Sequence, residues 1–103
     1  MQGQQRVKIV EHKVSKFIER FGCYEVMSND NTMKIVLRNV SVMDDSMERA
    51  FFSTTTWIKE DNGWVKCNDT QNFPSREAFI EALKASEDFT QAIRDYEEYK
   101  FNI

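Results

Sequence analysis

One histidine, one proline, three glycines and two cysteines in 103 residues leave this chain short of the residue types that catalytic and metal sites use most. A nucleophilic triad needs an imidazole held against its nucleophile. The single imidazole, His12, stands between Glu11 and Lys13, off the apolar stripe of its surroundings. A tetrahedral zinc site wants four Cys or His in short paired spacings, whereas Cys23 and Cys67 lie far apart in the chain. The glycines, at 3, 22 and 63, build no phosphate-cradling loop. Asp44, Asp45 and Glu48 crowd one acidic stretch but lack the alternating oxygen ligands and glycine of a calcium loop. Glu25 and Glu60 read as strand residues, with no sequence sign of the burial that tunes a catalytic carboxylate. No catalytic residue, metal ligand or cofactor is expected, and the chain reads as a non-enzyme.

No apolar run approaches the length that spans a bilayer, and Met1–Gln5 lacks the apolar core of a signal peptide. These absences predict a cytoplasmic protein whose two cysteines remain thiols. Scarce glycine and proline exclude loop-rich and fibrous designs, so most residues should sit in regular structure.

What is present is apolar and aromatic: 41% hydrophobic residues, with eight Phe, three Tyr and two Trp. That suits a single compact domain over 1–103, because each aromatic ring removes a large area from water. The net charge is −3, unevenly spread. The first twenty residues carry five bases and two acids, and residues 71–103 carry four bases and seven acids. Such asymmetry is able to steer a charged partner.

Val7, Val10, Val14, Phe17 and Phe21 form a helical stripe that Gly22 would cap, predicting a helix over 6–21. The period then changes to two. Residues 23–27 read as a strand, 28–31 as a turn, and 32–39 as a strand with Met33, Ile35 and Leu37 on one face. Val40 and Val42 fall on the opposite parity, which suggests a bulge near Arg38-Asn39. Residues 43–48 are expected as an exposed loop, 49–60 as a long strand around Thr54-Thr55-Thr56, and 64–67 as its hairpin partner. Phe73-Pro74-Ser75 marks a helix start. The helix over 76–85 turns Phe79, Ile80, Ala82 and Leu83 inward. Ser86 caps a second helix whose stripe is Phe89, Ala92, Ile93, Tyr96 and Tyr99. The expected fold class is α+β: an N-terminal helix, a four- to five-stranded antiparallel sheet covered on one face, and two C-terminal helices.

The hairpin Trp57–Cys67 carries the clearest functional signal. A two-residue Asn62-Gly63 turn of type I′ would set Lys59 opposite Lys66 and Ile58 opposite Cys67. Ile58, Val65 and Cys67 then share one side of the ribbon, and Trp57, Lys59, Trp64 and Lys66 the other. A three-residue Asp61-Asn62-Gly63 turn would change the pairing. The aromatic-basic side, together with an acidic C-terminal helix bearing Asp95, Tyr96, Glu98 and Tyr99, predicts a partner-binding surface. The leading expectation is a non-enzymatic module that binds another protein, as inhibitor, adaptor or regulatory subunit, and is itself a monomer or homodimer. A first alternative is nucleic-acid binding through the same side, against which the net negative charge counts. A second is a small-molecule or enzymatic domain, which requires an enclosed pocket between sheet and helices holding a buried carboxylate, His12 or a thiol.

Overall fold

The computed structural model describes residues 15–67 and 69–101. Six strands precede two helices: β1 (Phe17–Arg20), β2 (Cys23–Met27), β3 (Met33–Asp44), β4 (Met47–Glu60), β5 (Gly63–Lys66), β6 (Asn72–Phe73), α1 (Arg76–Leu83) and α2 (Thr90–Phe101), with a 3₁₀ turn, Glu87–Phe89, leading into α2. Strands β1 to β5 form an antiparallel meander in chain order. Strand β6 pairs with the middle of β4, on the edge whose far end β5 occupies. The architecture is an antiparallel sheet with C-terminal helices, an α+β fold.

Register determines which side chains go inward. Phe17 lies opposite Val26, Val26 opposite Ile35 and Ile35 opposite Thr56; Tyr24 lies opposite Leu37 and Leu37 opposite Thr54. Directly paired residues share a sheet face, and against this inner face pack Phe79, Ile80 and Leu83 of α1, Phe89, and Ala92 and Tyr96 of α2. Val26 and Leu37 lose all contact with water, each contributing roughly 1.5–3 kcal/mol by that burial. Ser75 caps α1, its hydroxyl accepting from the Ala78 amide at 3.1 Å. Asn29, in the β2–β3 turn, accepts from the Gln91 amide at 3.0 Å and donates to the Glu87 carbonyl at 2.9 Å, so a sheet loop closes the start of α2.

The N-terminal helix is corrected where the structure describes it, while residues 6–14 lie outside the described residues, as does His12. Phe17–Arg20 is the edge strand β1, and Phe21 and Gly22, at φ 50° and 78°, make the tight turn into β2. A glycine at positive φ serves a helix end and a hairpin turn equally well, so Gly22 did not discriminate. Pairing with β2 buries Phe17 against Tyr24 and Tyr96, at ring separations of 5.5 and 5.0 Å. Phe21, placed on the buried stripe of the expected helix, is instead fully exposed at the turn.

Strand β1 and the two-residue β6 raise the strand count among the described residues to six, against the four or five expected. The bulge near Arg38-Asn39 is absent: β3 and β4 pair without a break from Met33↔Ile58 to Asp44↔Met47. Val40 and Val42 change parity because they belong to the face opposite the helices. The acidic stretch 43–48 is mostly strand, with only Asp45 and Ser46 in the turn, at φ 48° and 68°. Ala82 is exposed, since α1 turns only Phe79, Ile80 and Leu83 fully inward.

Candidate partner-binding face

The β4–β5 hairpin turns through Asp61 and Asn62, with the positive φ on Gly63 at 122°. Glu60 therefore pairs with Gly63, Lys59 with Trp64, Ile58 with Val65 and Trp57 with Lys66. This corrects the pairing expected from an Asn62-Gly63 turn. The slip is two residues, so every side chain keeps its face while its neighbours change. Lys59 and Lys66 no longer face each other. Each stands beside an indole instead, which removes a like-charge contact and sets cations against aromatic rings.

Trp57, Lys59, Trp64 and Lys66 thus lie together on the outer face of the sheet, away from the helices. Lys34, opposite Trp57 on β3, places its ammonium 4.6 Å from the Trp64 ring centroid. Following the same parity across the strands, the outer face also carries Ile18, Arg20, Cys23, Glu25, Met27, Val36, Arg38, Val40, Val42, Arg49, Phe51, Ser53 and Thr55. Water-facing strands of an antiparallel sheet ordinarily present polar residues. Here the layer is mainly apolar, aromatic and cationic; among the described strand residues Glu25 is its only acid short of the β3–β4 turn. The two indoles are half-buried among their neighbours, neither sealed in the core nor fully solvated.

The opposite charge collects on the helices. Residues 76–99 carry seven acids and three bases. Most of the bases there are engaged locally: Lys84 meets Glu81 at 2.9 Å and Arg76 meets Glu77 at 3.0 Å. Arg76 also donates to the Tyr24 hydroxyl at 3.0 Å and packs over the Tyr24 and Tyr96 rings. Burial pulls its guanidinium down, but the bonds to Glu77 and Tyr24 more than offset this and hold it charged.

The four residues expected on the acidic helix do different work. Tyr96 is a core residue, 4% exposed, and its hydroxyl, raised by burial, donates to Glu77 at 3.3 Å. Asp95 accepts from the Lys16 amide and from Gln91, which ties the chain entering β1 to α2. Tyr99, half-buried, donates its hydroxyl to Glu19 of β1, which raises it. Glu98 alone of the four is exposed. The structure therefore brings the hairpin residues together and spreads the helix residues between core, strut and surface.

Sequence spacing missed Lys34, Arg38 and Val40, because their membership of this face depends on the β3–β4 register. The parity switch at Val40 and Val42 was the available signal. Cys23 faces outward on β2, and Cys67, beside Thr56 at the end of β5, faces inward. Opposite faces and the strands between them keep the two thiols apart.

Hollows lie against β4 on both of its faces. On the inner side, a cleft of about 390 Å³ lies between the helices and the sheet, with Phe79, Leu83 and Phe89 as walls, Met33, Ile35 and Ile58 as floor, and Cys67 and Asp69 among its lining residues. It is open to solvent; its thiol is half-buried and its carboxylate residue exposed. On the outer side, a hollow of about 290 Å³ is lined by Arg38, Val40, Ser53, Thr55, Trp57, Lys66 and Thr70. Among the described residues no group of three His, Cys, Asp or Glu is placed to hold a metal ion, and no helix is long and apolar enough to cross a membrane.

No family model, curated protein or solved structure matches this chain.

Proposed function

We propose that the protein is a non-enzymatic binding module that docks an acidic protein partner on the outer face of its sheet, acting as an inhibitor, adaptor or regulatory subunit. One observation carries this: a sheet face left open by the helices is apolar, aromatic and basic where a solvated face would be polar. Tryptophan and arginine lead among residues that dominate interface energetics, and a fringe of cations calls for carboxylates or other anions opposite. The apolar positions Val36, Val40 and Phe51 fit side chains better than they fit a nucleic-acid backbone. The Trp64 ring, already faced by the Lys34 ammonium, is poorly placed to stack a base. A second copy docked through this same face would set cation against cation, which argues for a different partner. In this reading the protein works in the cytoplasm, with Cys23 and Cys67 as thiols.

Capture from nuclease-treated native extract tests the assignment, comparing the wild type with a folded Trp57→Ala/Trp64→Ala variant. The expected outcome is an acidic protein retained by the wild type, released by salt and lost from the variant. Retention that nuclease abolishes would replace it with nucleic-acid binding. Identical capture by both proteins would remove the outer face from function.

A further inference from the structure

The outer hollow has a chemistry more specific than its surroundings. Arg38 reaches it from β3, where it pairs with Ser53, and Lys66 reaches it from β5, where it pairs with Trp57. Thr55 lies between these two rows on β4, and Thr70 enters from the connection that leads to β6. Two cations and three hydroxyls thus surround one hollow, with the Trp57 ring and Val40 as its apolar walls. Glu25, on β2 opposite Val36, does not line it.

We infer that this hollow is a phosphoryl subsite, and that the partner inserts a phosphorylated serine or threonine into it. The inference rests on the docking face proposed above and names the anchor group. A phosphomonoester carries −1.5 to −2 charges at neutral pH and three strong acceptor oxygens. Arg38 offers a planar fork, Lys66 a mobile point charge, and the hydroxyls of Ser53, Thr55 and Thr70 supply neutral donors. A carboxylate, with two oxygens in one plane, leaves much of that donor set unused. The apolar walls suit the aliphatic stem of a side chain. Beyond the hollow the face turns to Val36 and Phe51, which suits the flanking residues of a peptide and not a repeating phosphodiester.

The test uses the full chain and three degenerate peptide mixtures with the same randomised flanks, centred on phosphoserine, glutamate or serine. Binding is read by the emission of Trp57 and Trp64, the only two tryptophans of the chain. The phosphoserine mixture should bind at least about tenfold more tightly than the glutamate mixture. Its affinity should rise between pH 5 and 7.5 as the monoester takes its second charge near pH 6, with no matching rise for glutamate. Arg38→Ala/Lys66→Ala, confirmed folded by circular dichroism, should bring phosphoserine down to the glutamate level, and Thr55→Val should weaken it several-fold. Equal binding of phosphoserine and glutamate overturns the subsite but leaves the acidic-partner reading standing. Failure of all three mixtures overturns both. Octathymidylate binding more tightly than phosphoserine, with the same dependence on Arg38 and Lys66, overturns the subsite in favour of single-stranded nucleic acid.

Discussion

Glu77 shows how much one exposed side chain is asked to do. It occupies the first turn of α1, where its own amide, the Arg76 guanidinium and the Tyr96 hydroxyl all favour its charged form and hold its carboxyl below the usual value. Asp30 is lowered too, by the Thr32 hydroxyl, the Ser28 hydroxyl and the Thr32 amide. A carboxylate lowered in the folded state adds stability that is fully present above its unfolded value, about 4.3 for Glu and 3.9 for Asp. That stability disappears as the pH falls through the folded value. Urea denaturation at pH 6 and pH 3 should therefore show an acid-induced loss. Glu77→Gln should shrink it by less than about 1 kcal/mol, because the side chain is more than half exposed and solvent screens the pair. An unchanged difference between the two pH values would mean that the Arg76–Glu77–Tyr96 group adds nothing to folding.

The long hairpin is the element with the least support. Among the described residues, β3 and β4 pair only with each other from Asn39↔Phe52 to Asp44↔Met47, apart from the β6 contact at Phe52. Two-stranded ribbons are marginal in water. Its turn also places Asp45 and Ser46 at positive φ, a conformation that costs about 1 kcal/mol or more away from glycine. Ser46→Gly should raise stability by roughly 0.5–1 kcal/mol in urea denaturation and slow amide exchange in residues 41–50. A loss of stability would show that the serine side chain contributes what the backbone gives up. The elements differed in legibility for related reasons. Strand β4 was plain from its run of threonines, and α1 from Phe73-Pro74-Ser75. Strand β1 was not, because Phe17 and Phe21 satisfy a helical stripe as readily as strand ends, and only pairing with β2 decides. Strand β6 is two residues long and carries no period at all. The hairpin turn was legible as a turn, but Asn62-Gly63 fits two pairings, and the choice lay in where the positive φ would fall.

Across the whole molecule, the −3 net charge conceals a separation: a basic sheet face and an acidic helical layer on opposite sides. Pairing makes this separation, since Arg20, Lys34, Arg38, Lys59 and Lys66 are scattered in sequence and meet only in the folded sheet. The hairpin part of the candidate site was therefore readable from the sequence, and the β2 and β3 part was not. At pH 7, well above its sequence pI of about 5.2, the protein should still be retarded on a cation exchanger at low salt. Lys34→Glu/Lys66→Glu should flow through, and about 0.3 M salt should release the wild type as the Debye length contracts. Wild type emerging in the void volume would mean that the helical acids dominate the field on both sides.

Met43 and Met47, about 70% exposed near the tip of the long hairpin, have a consequence for life under oxidants. Peroxide should reach these two thioethers before Met27 and Met33, which are half-buried. Their sulfoxides would turn the ribbon's tip polar and leave the packed interior untouched. Oxidation should thus fall first on the tip, and mass mapping of its oxidised sulfurs would record whether anything in the cell shields it.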